Sequence, residues 1–272
     1  GSRFHMLELG AGWAKWIVDG VALTRRLGSL APKDVVAVGV EAQDDHCAWA
    51  RQHIARNHME KEATLICGAV ANQDGFVDFP VADKGDTGSR YGLGIQMLLD
   101  GKSTNSGTKK VQSYGICTLL NLPQYKGQPV DFVSLDVQSF EHAILAPTVD
   151  TLKCLQKKVG VLHISLHRVE ENDARQLTNT MVGTLGWDLV RYFPLMSTVD
   201  TQFGRVEFMD GVITFVNPDV APGLAQQMYH PKNVHKGPYT GFKGKKMHES
   251  VALDWSNGDY ITDIQKPLSR KT

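Results

Sequence analysis

The chain has 272 residues, enough for one large α/β domain or two small ones, and its 42% hydrophobic and 21% charged content is ordinary for a globular protein. Its 29 basic and 29 acidic residues balance, which argues against a dedicated nucleic-acid-binding protein, because phosphate contacts usually need a basic excess. No apolar run reaches about 18 residues and no signal-peptide pattern is present, so we expect no membrane span.

The cysteine pattern predicts reduced thiols. Cys47, Cys67, Cys117 and Cys154 are widely spaced and form no CxxC pair. A zinc site or a disulfide framework is therefore not expected, and thiols in the core favour a cytoplasmic protein. Because Gly1-Ser2 resembles a cloning remnant just before an apolar strand, we expect further residues to precede this chain in nature.

Strands and helices alternate along the first 217 residues. Apolar runs predict strands at residues 4–9, 35–40, 63–70, 75–81, 111–117, 130–137, 161–166, 187–193 and 211–216. Helices are predicted at residues 13–26, from a cap at Asp44 or Asp45 to Asn57, at 140–155 and at 173–185. This alternation predicts an α/β fold, with helices on both faces of a mostly parallel sheet.

Two segments depart from the alternation. Residues 83–110 are rich in glycine, and a loop this long inside a domain is usually functional or disordered, so Arg90 and Tyr91 are candidates for a substrate lid. Residues 218–272 are rich in Gly, Pro and Lys. We expect one domain over residues 1–217 and a C-terminal extension over 218–272 that wraps it.

A glycine turn follows the first strand, in the segment Glu8-Leu9-Gly10-Ala11-Gly12. Such a turn lets a ligand approach the backbone closely. A dinucleotide fingerprint needs a third glycine at the position of Lys15, and Glu8 would repel a pyrophosphate. Glu8 can instead attract the ammonium group of S-adenosylmethionine, and Trp13 directly after the turn is placed to touch the ligand.

A second acid, Glu41, ends the second predicted strand. A carboxylate at that point can accept hydrogen bonds from both ribose hydroxyls of a nucleoside. The alternative is that Glu8 caps a helix or lies at the surface and that Glu41 is an ordinary loop acid.

The segment from Val130 to Glu141, VDFVSLDVQSFE, resembles a block of the FkbM-type methyltransferases that is typically I-D-x-x-K-I-D-V-E-G-x-E. Further segments resemble that family in the right order: Asn57, Gly68-Ala69-Val70, Asp74-Gly75, Thr118-Leu119 and Leu162 to His167. The chain departs from the family pattern at Trp13-Ala14, Ser134, Gln138-Ser139 and Ser165.

The resemblance implies a Rossmann-like class I fold with a mostly parallel seven-stranded sheet, S-adenosylmethionine as cofactor, and a hydroxyl acceptor of a sugar-like or polyketide-like small molecule. The cofactor-binding residues we then expect are Glu8, Gly10, Ala11, Gly12, Trp13, Glu41, Ala42, Ala69 and Asp136. Neither a nucleic acid nor a membrane is expected as a partner.

Three residues are candidates for the chemistry of methyl transfer to a hydroxyl, which needs an aligned acceptor and removal of a proton. Asp136 ends a strong strand at the sheet edge where such folds bind ligands, and His167 ends the next strand. Glu141 lies in a first helical turn, where favourable interaction with the helix dipole is an equal explanation. A divalent metal held by these three is conceivable, whereas His163 is expected to be a satisfied buried histidine.

Two other functions stay open. A nicotinamide-dependent oxidoreductase is disfavoured by Lys15 and by the lack of a Tyr-x-x-x-Lys pair after the fourth main strand. A cofactor-binding module without catalysis is kept open by Ser134, Gln138 and Ser165, which stand where the family pattern has other residues.

Overall fold

A computed structural model describes residues 2–80, 107–138, 140–145, 148–167, 176–193, 197–201, 204–208 and 210–228. The proposed lid residues Arg90 and Tyr91, and the extension beyond residue 228, lie outside this part of the chain. The division into a domain and a wrapping extension therefore stays a prediction.

The chain divides into two compact units, residues 1–162 and 163–272, with the boundary inside the strand Val159–Leu166. The first unit holds β1 (Arg3–Leu9), α1 (Lys15–Arg26), β2 (Asp34–Glu41), α2 (Asp44–Arg56), β3 (Ala63–Cys67), β4 (Ala69–Ala71), β5 (Gly75–Pro80), β6 (Thr108–Gly115), α3 (Ile116–Leu120), β7 (Val130–Leu135), α4 (Glu141–Ile144) and α5 (Val149–Lys158). Short 3₁₀ turns lie at Gly28–Leu30 and Pro123–Tyr125.

The second unit begins within β8 (Val159–Leu166). It continues with a π-helical segment (Asn179–Thr184), β9 (Asp188–Phe193), β10 (Ser197–Thr201), β11 (Gly204–Phe208), β12 (Gly211–Val216) and α6 (Leu224–Met228). Strands β10 and β11 form an antiparallel hairpin that the sequence pattern did not predict.

The main sheet has seven strands in the order β3-β2-β1-β7-β8-β12-β9. Strands β1, β2, β3 and β7 run parallel, and β9 runs antiparallel to β12. The predicted fold class, a Rossmann-like α/β fold with a mostly parallel seven-stranded sheet, is confirmed. The strand order reverses beside β1, so the carboxyl ends of β1 and β7 flank a topological switch point, where open α/β sheets bind ligands.

A second, three-stranded sheet has the order β4-β6-β5. It forms because the predicted strand over residues 63–70 breaks at Gly68, and its two halves join different sheets. A Cβ on Gly68 would lie 2.7 Å from the Tyr114 ring, so this close crossing of the chain requires glycine.

The single helix predicted over residues 140–155 is wrong. The chain forms a one-turn helix, Glu141–Ile144, and a second helix, Val149–Lys158, which Thr148 caps by accepting a hydrogen bond from the Thr151 N–H. Pro147 lies between them in the sequence, and proline disfavours helical backbone at the residue before it.

Two other predicted helix starts also differ. Gln43 caps α2 by accepting a hydrogen bond from the His46 N–H, whereas Asp44 and Asp45 lie in its first turn. Helix α1 begins two residues later than predicted because Ala14 has left-handed backbone, with φ of 61°.

The prediction of reduced thiols is wrong for one pair. Cys47 and Cys67 form a disulfide between α2 and the end of β3, with Cα atoms 5.8 Å apart, whereas Cys117 and Cys154 are free. Sequence spacing could not show that these elements pack side by side. Because disulfides are rare in the cytosol, the argument from cysteine usage for a cytoplasmic location falls away.

Within the described residues, no helix is both long and apolar enough to cross a membrane.

Alkylation tests the disulfide directly. Without reductant, two cysteines of the unfolded protein should react with iodoacetamide, and with reductant all four should react, as counted by mass spectrometry. A Cys47→Ser/Cys67→Ser variant should lose about 3 kcal/mol of unfolding free energy, because the bond closes a loop of 20 residues. The matched Cys117→Ser variant should lose less, and four labelled cysteines before reduction would contradict the bond.

Candidate functional site

The glycine turn after β1 and the segment after β7 lie side by side in the first unit. Leu9 pairs with Leu135 in the parallel register, and the Asp136 N–H donates to the Leu9 carbonyl over 2.8 Å. The backbone N–H groups of Gly10 and Ala11 both donate to the Val40 carbonyl. Three strand ends, from β1, β2 and β7, therefore meet at the switch point.

The close packing of Gly10 against Asp136 requires glycine at this position. Its φ is +82°, and a Cβ there would lie 1.8 Å from the Asp136 carbonyl oxygen. From the sequence, we attributed this glycine to the close approach of a ligand. In the structure, the backbone after β7 occupies the space that a side chain at Gly10 would need. Gly12, with φ of 55°, and Ala14 also have left-handed backbone.

We expect the Gly10→Ala variant to unfold at a much lower urea concentration than the parent protein. The substitution combines left-handed strain of about 1–2 kcal/mol with a backbone collision that only strand movement can relieve. Gly28→Ala is the matched control, since Gly28 also has positive φ, 56°, but has no atom within 4 Å of a Cβ. Equal losses in the two variants would show that the contact with Asp136 contributes nothing.

Glu41 binds the glycine turn to the start of α2. It is 7% exposed; its Oε2 accepts from the Gly12 N–H and its Oε1 from the Gln43 N–H, each over 2.7 Å. Burial raises the pKa of Glu41, whereas the hydrogen bonds from Gln43, Gly12 and Ala42 act against the rise. The carboxylate thus lies at the predicted place, the carboxyl end of β2, and faces the turn.

Glu8 has the helix-capping role that the sequence left as the alternative. It is 3% exposed, and its oxygens accept hydrogen bonds from the N–H groups of Trp16 (3.3 Å) and Ile17 (3.1 Å) in the first turn of α1. Burial raises the pKa of Glu8 to about 8 against the effect of these two bonds, and the nearby charges of Asp136 and Glu41 add to the rise. Its predicted contact with an ammonium group stays a prediction.

The raised pKa of Glu8 predicts a pH dependence of stability. Between about pH 4.5 and pH 8 the folded state holds a proton that the unfolded state has lost, so the unfolding free energy falls as the pH rises through this range. Glu8→Gln removes this titration, so the variant should gain stability relative to the parent from pH 5 to pH 8, by at most about 1.4 kcal/mol per pH unit.

Urea denaturation at both pH values measures the effect. The exposed Glu60→Gln is the control for the same change of charge. A stability difference between Glu8→Gln and the parent that is the same at pH 5 and pH 8 would contradict the assignment.

Asp136 follows β7 at the switch point, as predicted, and is partly buried. Gln138 Nε2 lies 3.5 Å from its Oδ1, and Gln138 itself has left-handed backbone with φ of 54°. Glu141 is 2% exposed, and its Oε1 accepts from the Val137 N–H over 3.2 Å. This contact favours a positioning role for Glu141 in the loop after β7; its catalytic role stays a prediction.

The two histidines of β8 lie in the second unit. His163 is satisfied, as predicted, by a 2.9 Å hydrogen bond between its Nδ1 and the Thr214 Oγ1, although it is only partly buried. His167 Nε2 lies 3.8 Å from Asp210 Oδ2. No three His, Cys, Asp or Glu side chains among the described residues are grouped to hold a metal ion, so the proposed cluster of Asp136, Glu141 and His167 gains no support.

The remaining predicted cofactor residues surround the turn. Trp13 is 48% exposed, Ala42 is partly buried, and Ala69 is 6% exposed at the start of β4. The structure places Ala69 beyond Gly68, whose N–H donates to the Glu41 carbonyl over 2.8 Å. The chain after β3 therefore returns to the same edge as Glu41.

Sequence reasoning missed the supporting roles of three residues at this edge, although Asp74 belongs to a segment that resembles the FkbM-type family. His53 holds the turn from α2, with Nδ1 2.9 Å from the Trp13 carbonyl oxygen. His46 Nδ1 lies 3.9 Å from Glu41 Oε1. Asp74 accepts from the Gly115 N–H and from the Thr118 hydroxyl, which lowers its pKa and fixes the start of α3. For His46 and His53 the sequence signal was their spacing along one predicted helix.

No family model matches the chain, and no curated protein matches it. Among solved structures, the methyltransferase FkbM from Methylobacillus flagellatus KT has 12% identity and a TM-score of 0.47, over 78% of this chain and 43% of its own.

Two further solved structures are similar. The O-methyltransferase TomG from Streptomyces achromogenes, involved in tomaymycin synthesis and solved with SAM, has 14% identity and a TM-score of 0.42, over 79% of this chain and 72% of its own. Precorrin-6y C5,15-methyltransferase from Geobacter metallireducens GS-15 has 8% identity and a TM-score of 0.40, over 79% of this chain and 81% of its own.

Proposed function

We propose that this protein is an S-adenosylmethionine-dependent methyltransferase that transfers a methyl group to a hydroxyl of a sugar-like or polyketide-like small molecule. The proposal rests on the site at the switch point, where the turn after β1, Glu41 at the end of β2 and Asp136 after β7 come together.

The main support for S-adenosylmethionine as the cofactor is that Glu8 caps α1. A dinucleotide places its pyrophosphate at the N-terminus of the helix after the glycine turn, where free N–H groups receive it. Here the N–H groups of Trp16 and Ile17 already donate to Glu8. A buried acid at this point disfavours a pyrophosphate and favours a ligand that brings a positive charge.

The acids around the turn fit that positive charge. Glu8, Glu41 and Asp136 influence one another electrostatically, and burial raises the pKa of both Glu8 and Glu41. A cation beside them would stabilise their charged forms. S-adenosylmethionine carries an ammonium group and a sulfonium group, and neither is present in NAD.

Glu41 would hold the ribose. Its two oxygens accept the backbone N–H groups of Gly12, Gln43 and Ala42, so roughly one of their about four lone-pair sites remains for a ribose hydroxyl. The small side chains of Ala42 and Ala69 would lie against the adenine ring, and Trp13 offers an exposed aromatic surface next to the turn.

When bound, the cofactor supplies a methyl group activated on sulfur. Asp136, at the carboxyl edge of β7, would orient the acceptor hydroxyl and take up its proton, and Gln138 and the buried Glu141 fix the loop that presents it. The role of His167 as a base stays a prediction. The balanced charge of the chain favours a small molecule over a nucleic acid as the acceptor.

Calorimetry tests the cofactor. S-adenosylhomocysteine should bind and NAD should not, and Glu41→Gln should weaken binding by about tenfold or more, because one ribose acceptor is lost. Asp136→Asn should keep binding within a few-fold and lose at least about a hundredfold in S-adenosylhomocysteine release with hydroxylated acceptors. Glu60→Gln, on the surface, is the control for both measurements.

The outcomes separate the candidate functions. Tight binding of NAD without binding of S-adenosylhomocysteine would end the methyltransferase proposal in favour of an oxidoreductase. Binding of S-adenosylhomocysteine with full turnover by Asp136→Asn would remove only the catalytic role of Asp136. Binding without turnover on any hydroxylated acceptor would favour the silent binding module.

A further inference from the structure

The Cys47–Cys67 disulfide lies beside Glu41, the residue proposed to hold the ribose. Cys67 and Glu41 are the last residues of β3 and β2, and they are paired in the parallel register of the two strands. The N–H of Gly68, the residue after Cys67, donates to the Glu41 carbonyl over 2.8 Å. One end of the disulfide is therefore fixed against the backbone of the proposed cofactor site.

The other end of the disulfide reaches the Glu41 carboxylate through the first turn of α2. The Cys47 N–H donates to the Gln43 carbonyl over 2.9 Å, and the Gln43 N–H donates to Glu41 Oε1 over 2.7 Å. Gln43 also caps this turn, since its side chain accepts from the His46 N–H over 2.6 Å. The disulfide therefore closes a ring of contacts that begins and ends at Glu41.

This ring includes most of the groups that hold the Glu41 carboxylate. Two of the backbone N–H groups that it accepts, from Ala42 and Gln43, belong to the segment between β2 and Cys47, and a third comes from Gly12 in the glycine turn. Burial raises the pKa of Glu41 and these bonds act against the rise, so loosening the segment also disfavours the charged carboxylate. Both the position and the charge of Glu41 thus depend on how firmly the start of α2 is held.

The disulfide can be reached by a reductant from one side, because Cys67 is exposed whereas Cys47 is only 2% exposed. One thiolate of a dithiol can attack the Cys67 sulfur; the S–S bond then breaks, and the Cys47 sulfur takes up the electron pair and a proton. The second thiol of the reductant then displaces Cys67 as a thiol, and the reductant, having lost two electrons, becomes a cyclic disulfide. The covalent link between α2 and β3 is thereby lost.

We propose that the Cys47–Cys67 disulfide positions Glu41 for the cofactor, so that reduction of the bond by a dithiol weakens cofactor binding and reoxidation restores it. This inference rests on the proposed function, in which Glu41 is the ribose acceptor. Its physical basis is preorganisation, because a carboxylate that is already held in its binding geometry does not have to be ordered when the ligand arrives. Cys47 and Cys67 are positioning residues that act through Glu41.

Calorimetry with S-adenosylhomocysteine on the oxidised and the dithiothreitol-reduced protein tests the inference. Reduction should weaken binding by about fivefold or more, and reoxidation with glutathione disulfide should restore it. Cys47→Ser/Cys67→Ser should bind as weakly as the reduced parent and should not respond to dithiothreitol. The matched control is Cys117→Ser/Cys154→Ser, which removes the two free thiols and should respond as the parent does.

A Glu41→Gln variant separates the positioning of Glu41 from a general gain in stability. Reduction should weaken binding less in this variant than in the parent, because the contact that the disulfide positions is already impaired. An equal loss in the two proteins, including a loss because both unfold on reduction, would overturn the role of the bond in placing Glu41. Parent binding that reduction leaves unchanged would overturn this inference alone, whereas no binding by the oxidised parent would end both this inference and the methyltransferase proposal.

Discussion

The backbone contact between Gly10 and Asp136 is the constraint on which the rest of the site depends. It lets β7 approach β1 at the point where the strand order reverses, and it brings the loop after β7 to the glycine turn. A side chain at Gly10 would collide with the Asp136 carbonyl, so the packing of the sheet requires glycine here whether or not a ligand binds. The same contact fixes the distance between the proposed cofactor site and the proposed base.

Two buried acids also hold the elements around the site in place. Glu8 and Glu41 are both removed from water, and both compensate this by accepting backbone N–H groups, Glu8 from α1 and Glu41 from the turn and from Gln43. Each acid thus holds a loop or helix start in place, and a cation bound beside it would stabilise its charged form. Desolvation outweighs the hydrogen bonds for both groups, which is why their pKa values rise.

The order of strands and helices, and the positions of Gly10, Glu41 and Asp136 at strand ends, could be predicted because apolar periodicity and glycine spacing are local signals. Contacts between distant segments could not. The Cys47–Cys67 bond depends on α2 packing beside β3, and the capping of α1 by Glu8 depends on where its side chain turns after the strand. The broken helix before α5 was foreseeable from Pro147, and the helical periodicity outweighed that signal.

The central position of β1 has a consequence for synthesis in the cell. Its first neighbour, β2, follows within about thirty residues, but its second neighbour is β7, where Met6 pairs with Phe132. At 5–20 residues per second, the ribosome needs roughly 6–25 s to make the residues between these partners. During that time one edge of an apolar strand has no pairing partner, so the emerging chain offers a binding surface for chaperones and a risk of aggregation.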